Sequence, residues 1–388
     1  MRDPAESSAI WVAGEASGDY LASLVLPEFR RRHPELENCG VGGEKMAEAG
    51  LACWETTEAL SVRGYVEVIR KIPSILALRS RLLSRMRREP PALFVGVDAP
   101  DFTLAIEEKL ASRGVPTVHM VSPSIWAWRP KRIEKVRRAA RHVLLVFPFE
   151  KAIYDKAGIP STYIGHPLAG IIPMEPNPQK AREALGVPSE VETVISVLPG
   201  SRVDEVSGCG PAFFAACEKV VTLLGGNVRF LLPAMSEVAK EGIRKVAERY
   251  PEFASRLTIT VGKSHTVLEA ADAVLVASGT ATLEAALFKK PMVVGYKMPA
   301  LSAWLMRNKG LLPYVSLPNI LSGEVVVPEF LQYYCEPEAL AYRLIDELEP
   351  KRRLELAERF SELHVALRRP TAQIACDALE KVLNFRAN

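Results

Sequence analysis

Two short segments in the second half of the chain carry residue types that can hold a phosphate. Ser278-Gly279-Thr280-Ala281-Thr282-Leu283-Glu284 follows the apolar run Ala273 to Ala277, and Leu198-Pro199-Gly200-Ser201-Arg202 follows the β-like run Thr193 to Val197. A strand that feeds a small-residue turn and then a helix aims free backbone N–H groups at whatever lies above it, which suits a phosphate or diphosphate. Gly200, Ser201, Arg202, Ser278, Gly279 and Thr280 are the candidate ligands, with Arg202 as the charged donor. Glu284 lies one turn into the following helix, where a carboxylate can hold a ribose diol. An ordinary capped strand–helix junction would account for either segment alone. Their repetition favours a nucleoside diphosphate.

The first half offers carboxylates instead. Gly14-Glu15-Ala16-Ser17-Gly18-Asp19 closes the first apolar run, so Glu15, Ser17 and Asp19 are expected on the ligand side of a sheet. Helix capping by Ser17 or Asp19 competes with that reading. In Val97-Asp98-Ala99-Pro100-Asp101-Phe102, Asp101 precedes a helical pattern and suits an N-cap, whereas Asp98 has no such duty. Asp98 is therefore the first candidate for a general base, ahead of Glu15 and Asp101. Ser122, Trp126, Trp128 and Arg129 belong to a Pro-flanked stretch in which extended alternation would put both indoles on one face, lining a sugar or acyl pocket. Packing of one ring into the core fits equally well. The six cysteines have no metal-ligand spacing and read as reduced thiols, and no Asp-x-Asp pair is present, so neither metal nor cofactor is expected.

Short apolar runs alternate with helical patterns along all 388 residues, which predicts α/β domains with parallel sheets. Strands are expected near Ala9–Ala13, Leu93–Val97, Thr117–Val121 and Val143–Phe147, then Thr193–Leu198, Val228–Leu232, Leu257–Val261, Ala273–Ala277 and Met292–Tyr296. Pro167, Pro173, Pro176 and Pro178 mark a hinge, giving domains 1–168 and 169–388. The missing G-x-G-x-x-G after the first strand argues against a dehydrogenase, and the missing Walker A pattern argues against a P-loop enzyme. A net charge of +3 is too small to imply nucleic acid, no apolar run is long enough to cross a bilayer, and the N-terminus lacks a signal-peptide core. Between Val62 and Pro90, eight Lys/Arg stand against two Glu; helical projection puts Ile72, Ile75, Leu76, Leu82, Leu83 and Met86 on one face and Arg70, Arg81, Arg85 and Arg88 opposite. On pattern alone this is a core-facing surface helix; the alternative is a helix lying in a membrane interface.

The ordered set GEASGD (14–19), GVGGEKM (40–46), DAPDF (98–102), VSPSIWAWR (121–129), PFE (148–150), IGHPLA (164–169), LPGSR (198–202), SGTATLEAAL (278–287), SLPNIL (316–321) and VPEFLQ (327–332) resembles the lipid-A-disaccharide synthases, inverting glycosyltransferases. The resemblance spans most of the chain. It implies a GT-B fold, two Rossmann-like doubly wound domains facing a cleft, with the last helix (about 371–384) returning to the N-terminal domain. It adds Asn319 and Gln332 to the donor-binding residues. It implies transfer from UDP-diacylglucosamine to diacylglucosamine 1-phosphate without a metal, by an enzyme peripheral on the cytoplasmic face of the inner membrane. Insoluble substrates of that kind turn the preference for residues 72–86 toward contact with membrane phospholipid. A homodimer is compatible with these features and no nucleic-acid partner is implied. Tyr20, Arg63 and Thr103 depart from the family's usual pattern on the acceptor side. A nucleotide-sugar epimerase on the same scaffold and a non-catalytic nucleotide-binding module are the competing functions.

Overall fold

The computed structural model describes residues 8–60, 65–126, 130–200, 203–225, 227–297 and 313–384, without the side chains of 65–70 and 203–205. The chain divides into two compact units, Met1–Pro167 with Leu367–Asn388, and Leu168–Ala366.

In the first unit β1 (Ser8–Ala13), β2 (Glu37–Gly42), β3 (Ala52–Thr56), β4 (Leu93–Val97), β5 (Thr117–Met120), β6 (His142–Leu145) and β7 (Ser161–Tyr163) form one parallel sheet in the order β3-β2-β1-β4-β5-β6-β7. Helices cover both faces, which is why the central strands read as unbroken apolar runs rather than alternating ones. β2 escapes that signal because glycines replace bulk: a Cβ on Gly40 would lie 1.9 Å from the carbonyl oxygen of Trp11 on the neighbouring strand. The last helix, Thr371–Asn384, packs Ala375, Cys376, Leu379 and Val382 into the same core as Val25, Leu26 and Phe29. Arg32 anchors it through Asp377 at 2.6 Å and Glu380 at 3.3 Å.

In the second unit β8 (Thr193–Leu198), β9 (Val228–Ala234), β10 (Leu257–Val261), β11 (Ala273–Ala277), β12 (Met292–Tyr296) and β13 (Glu329–Leu331) form a parallel sheet in the order β10-β9-β8-β11-β12-β13. Each sheet therefore reverses its winding once, between β1 and β4 in the first and between β8 and β11 in the second. In open α/β sheets ligands bind outside the carboxyl ends of the strands at that reversal. The carboxylate segments 14–19 and 98–102 follow β1 and β4, and the two anion segments follow β8 and β11.

The helix Tyr65–Arg88 corrects one expectation. Its apolar stripe is not a single exposed face: Leu82 and Met86 are 4% and 1% exposed and pack with Leu78 against Ile10, Val12 and Phe94. Ile75 and Leu83 lean on that cluster, and only Ile72 and Leu76, at 44% and 45%, stand in solvent. The stripe is wider than the strip of sheet it covers, so one edge is core and the other is left over. Among the described residues no helix is long and apolar enough to cross a membrane.

Candidate active site

The paired register Ala13–Val97 sets Gly14 beside Asp98 where β1 and β4 leave the sheet. A Cβ on Gly14 would lie 2.2 Å from the Cβ of Ala99, so glycine is what lets the loop after β1 lie against the loop after β4. Asp98 and Ala99 both have left-handed backbones, with φ of 54° and 44°, and Val121 (78°) and Ser124 (48°) repeat this after β5. Non-glycine residues there cost of order 1–3 kcal/mol each, and such strain gathers where a structure must aim a side chain. Buried Thr103 braces the turn by donating from Oγ1 to the carbonyls of Asp98 (2.8 Å) and Ala99 (3.1 Å). The Asp98 carboxylate accepts from the Ala99 amide at 2.9 Å through Oδ1 and from the exposed Ser17 hydroxyl at 3.4 Å through Oδ2. Exposed Glu15 sits one loop away as the extended N-cap residue of the helix Ala16–Arg32.

Three expectations on this side are corrected. Asp19 does not face a ligand: it is 5% exposed and its carboxylate accepts the amides of Gly43 (2.7 Å), Lys45 (3.2 Å) and Met46 (3.1 Å), capping the helix Glu44–Glu48 from the first turn of the helix Ala16–Arg32. Asp101 is not an N-cap, since its helix begins at Pro100; it lies in the first turn and pairs with Arg132. Ser122 is buried and bonded to the Tyr154 hydroxyl at 2.9 Å, so it supports the loop instead of lining a pocket. Half-buried Trp126 turns inward, with its ring 5.1 Å from that of Phe149 and 6.3 Å from that of Phe147, both edge to face. Trp128 and Arg129 lie outside the described residues.

Glu150 is the side chain that residue-by-residue reading passed over, although it ends the segment Pro148-Phe149-Glu150. It is 1% exposed, accepts from Trp126 Nε1 at 2.9 Å and from the Phe147 amide at 3.1 Å, and burial pushes its carboxyl up to about 7 against the pull of those donors.

In the second unit Gly279 takes φ +145° and opens the helix Thr280–Leu287, with nothing within 4 Å of where a Cβ would be. Gly279 and Thr280 are exposed, so this helix start faces open space. Ser278 is tied back, donating from Oγ to the carbonyl of Val315 at 2.9 Å. Gly200 follows β8 with φ +132°, while Ser201 and Arg202 lie outside the described residues. Half-buried Glu284 has His265 Nε2 at 3.7 Å from its Oε1. Half-buried Gln332 begins a 3-10 turn after β13.

Asn319 is a further correction. It is fully buried: its Oδ1 accepts the amides of Val326 and Val327 at 2.7 and 2.8 Å, and its Nδ2 donates to the carbonyl of Val327 and to Glu329, both at 2.8 Å. That leaves no capacity for a ligand. Glu329 in turn accepts the amides of Val315 (3.0 Å) and Ser316 (2.9 Å), so Asn319 acts by holding the segment to which Ser278 is bonded.

The chain matches the family model for lipid-A-disaccharide synthetase over residues 9–381. It is 48% identical over 377 residues to the lipid-A-disaccharide synthase of Cupriavidus pinatubonensis, covering 97% of this chain and 93% of that one. The Paraburkholderia phytofirmans enzyme of the same name is 46% identical over 385 residues, 99% of this chain and 98% of its own. Among solved structures the chain is similar to Acinetobacter baumannii MurG, with a TM-score of 0.57, 14% identity and coverage of 97% and 99%. It is similar also to the Neisseria meningitidis UDP-GlcNAc 2-epimerase bound to UDP-GlcNAc, with a TM-score of 0.62, 11% identity and coverage of 97% and 99%. At such identities the structural likeness speaks for the two-domain α/β fold alone.

Proposed function

The chain belongs to the lipid-A-disaccharide synthetase family, and from that membership we propose the reaction, the substrates and the residue roles that follow. It is a glycosyltransferase that takes a nucleotide sugar and a lipid-linked sugar. The donor is UDP-2,3-diacylglucosamine and the acceptor is 2,3-diacylglucosamine 1-phosphate, joined as a β-1′,6 disaccharide with release of UDP. Asp98 takes the proton of the acceptor's primary hydroxyl as its oxygen attacks the anomeric carbon and the bond to UDP breaks. The charge that develops on the diphosphate is met by Arg202 and by the helix start at Gly279 and Thr280. Glu284 holds the ribose, and Gln332 adds a donor-side contact. The first unit takes the acceptor, with Ser17, Trp126, Trp128 and Arg129 on its side, and the second binds UDP.

The observation that supports Asp98 above the other carboxylates is its strained seat at the winding reversal, where among the described residues its carboxylate is bonded by an adjacent amide and by Ser17. Asp19 is fully engaged and Asp101 is held by Arg132. The unpacked edge of the helix Tyr65–Arg88, Ile72 and Leu76, touches the inner-membrane surface, and nearby arginines add about 1 kcal/mol each of attraction to anionic headgroups. The test is incubation of both diacyl substrates in detergent, with and without a chelator, scored for disaccharide and UDP. Turnover that survives the chelator is expected. Epimerisation of UDP-N-acetylglucosamine without disaccharide formation would overturn the reading.

A further inference from the structure

Glu150 sits in the first unit as a buried carboxylate with no counter-ion: among the described residues it makes no ion pair. Its partners are the indole N–H of Trp126 and the amide of Phe147, with Ser122 and the Val146 backbone adding further hydrogen bonds. Among the described residues, the titratable groups around it supply no cation. Tyr154 on its own helix and Tyr163 on β7 are phenols that burial keeps protonated. His166, stacked on the Phe147 ring at 5.1 Å, is held neutral because burial lowers it to about 4. Lys151, next to it in sequence, pairs with Asp155 on the same helix.

A buried, unpaired carboxylate works against folding. What the charged form supplies is two acceptor oxygens for two N–H donors on different loops, Trp126 after β5 and Phe147 after β6. Those loops also carry the rings that gather around it: Phe147 and Phe149 stack at 5.7 Å, and Trp126 meets both edge to face. We propose that Glu150 is a positioning residue whose carboxylate holds the Trp126 ring, and through Phe147 the loop after β6, in the orientation that receives the acceptor sugar. This rests on the reading that the first unit takes the acceptor. A protonated carboxyl, or an amide in its place, turns one acceptor into a donor facing an N–H and releases one of the two loops. Glu150→Gln therefore mimics the protonated state at every pH.

The test uses full-length protein labelled with 5-fluorotryptophan, the Trp126 fluorine resonance being identified by its loss in Trp126→Phe. In the unsubstituted protein without substrate, this resonance is expected to move with a midpoint near neutral pH, and in Glu150→Gln to stay at its low-pH position throughout. Steady-state kinetics of Glu150→Gln with detergent-dispersed substrates should show acceptor KM raised about tenfold, the value of one hydrogen bond to a charged group, with donor KM unchanged. Glu150→Asp should recover part of the loss. A Trp126 resonance indifferent to pH in the unsubstituted protein overturns the proposal even if Glu150→Gln does not fold. An unchanged acceptor KM in a folded Glu150→Gln overturns it too. A rise in donor KM alone, with the resonance behaving as expected, leaves the hold on Trp126 standing and overturns the acceptor assignment.

Discussion

The hydroxyl of Ser17 donates to Asp98 Oδ2 across 3.4 Å and 81 residues of sequence, joining the loop after β1 to the loop after β4. Asp98→Asn keeps the shape of that contact and removes the proton acceptor. Its kcat is expected to fall about 10²-fold or more while UDP affinity stays. Initial rates and calorimetry measure the two separately, and near-normal turnover would move the base to Glu15.

Gly14 tests whether the approach of those loops is needed. Gly14→Ala places a methyl group against the Ala99 methyl, where neither backbone can yield cheaply. A loss of about 1–3 kcal/mol in denaturant unfolding is expected, together with a drop in kcat because the strained Asp98 turn is pushed aside. Unchanged stability and rate would mean that the turn is softer than its contacts imply.

For the donor, Arg202→Ala and Glu284→Ala are each expected to weaken UDP binding by about tenfold or more, the scale of a hydrogen bond to a charged group. Titration calorimetry reads this directly, and thermal unfolding should show both variants folded. Asn319→Ala should differ in kind. It strands the buried amides of Val326 and Val327 and takes one donor from the Glu329 carboxylate, so its UDP affinity should fall together with its unfolding temperature.

The helix Tyr65–Arg88 separates membrane contact from core. Ile72→Ser with Leu76→Ser should lose binding to anionic vesicles, measured by co-sedimentation, with unfolding temperature and detergent-phase turnover retained. Leu82→Ala should cost about 2–5 kcal/mol of stability, since it empties a packed site. Added salt should weaken vesicle binding of the unsubstituted protein, because exposed charges are screened beyond about 10 Å at 0.1 M.

By itself the sequence determined the architecture and the ends of the strands where chemistry gathers. A strand buried on both faces of a parallel sheet must be apolar throughout, so Leu93–Val97 and Ala273–Ala277 announce themselves, and the small or acidic residues that follow them fall at carboxyl ends. The strands it left silent are those whose reason for existing lies elsewhere in the chain, such as glycine-bearing β2 beside Trp11 and the three-residue β7 and β13. Carboxylates were where the tertiary structure decided. Asp19, Asp98, Asp101 and Glu150 look alike as letters near strand ends, but amides 24 to 27 residues away take up Asp19, an arginine takes Asp101, and an indole takes Glu150. The stripe from Ile72 to Met86 was equally undecided. Helical periodicity marks which side chains share a face, but how far that face is covered depends on the breadth of the sheet packed beneath it.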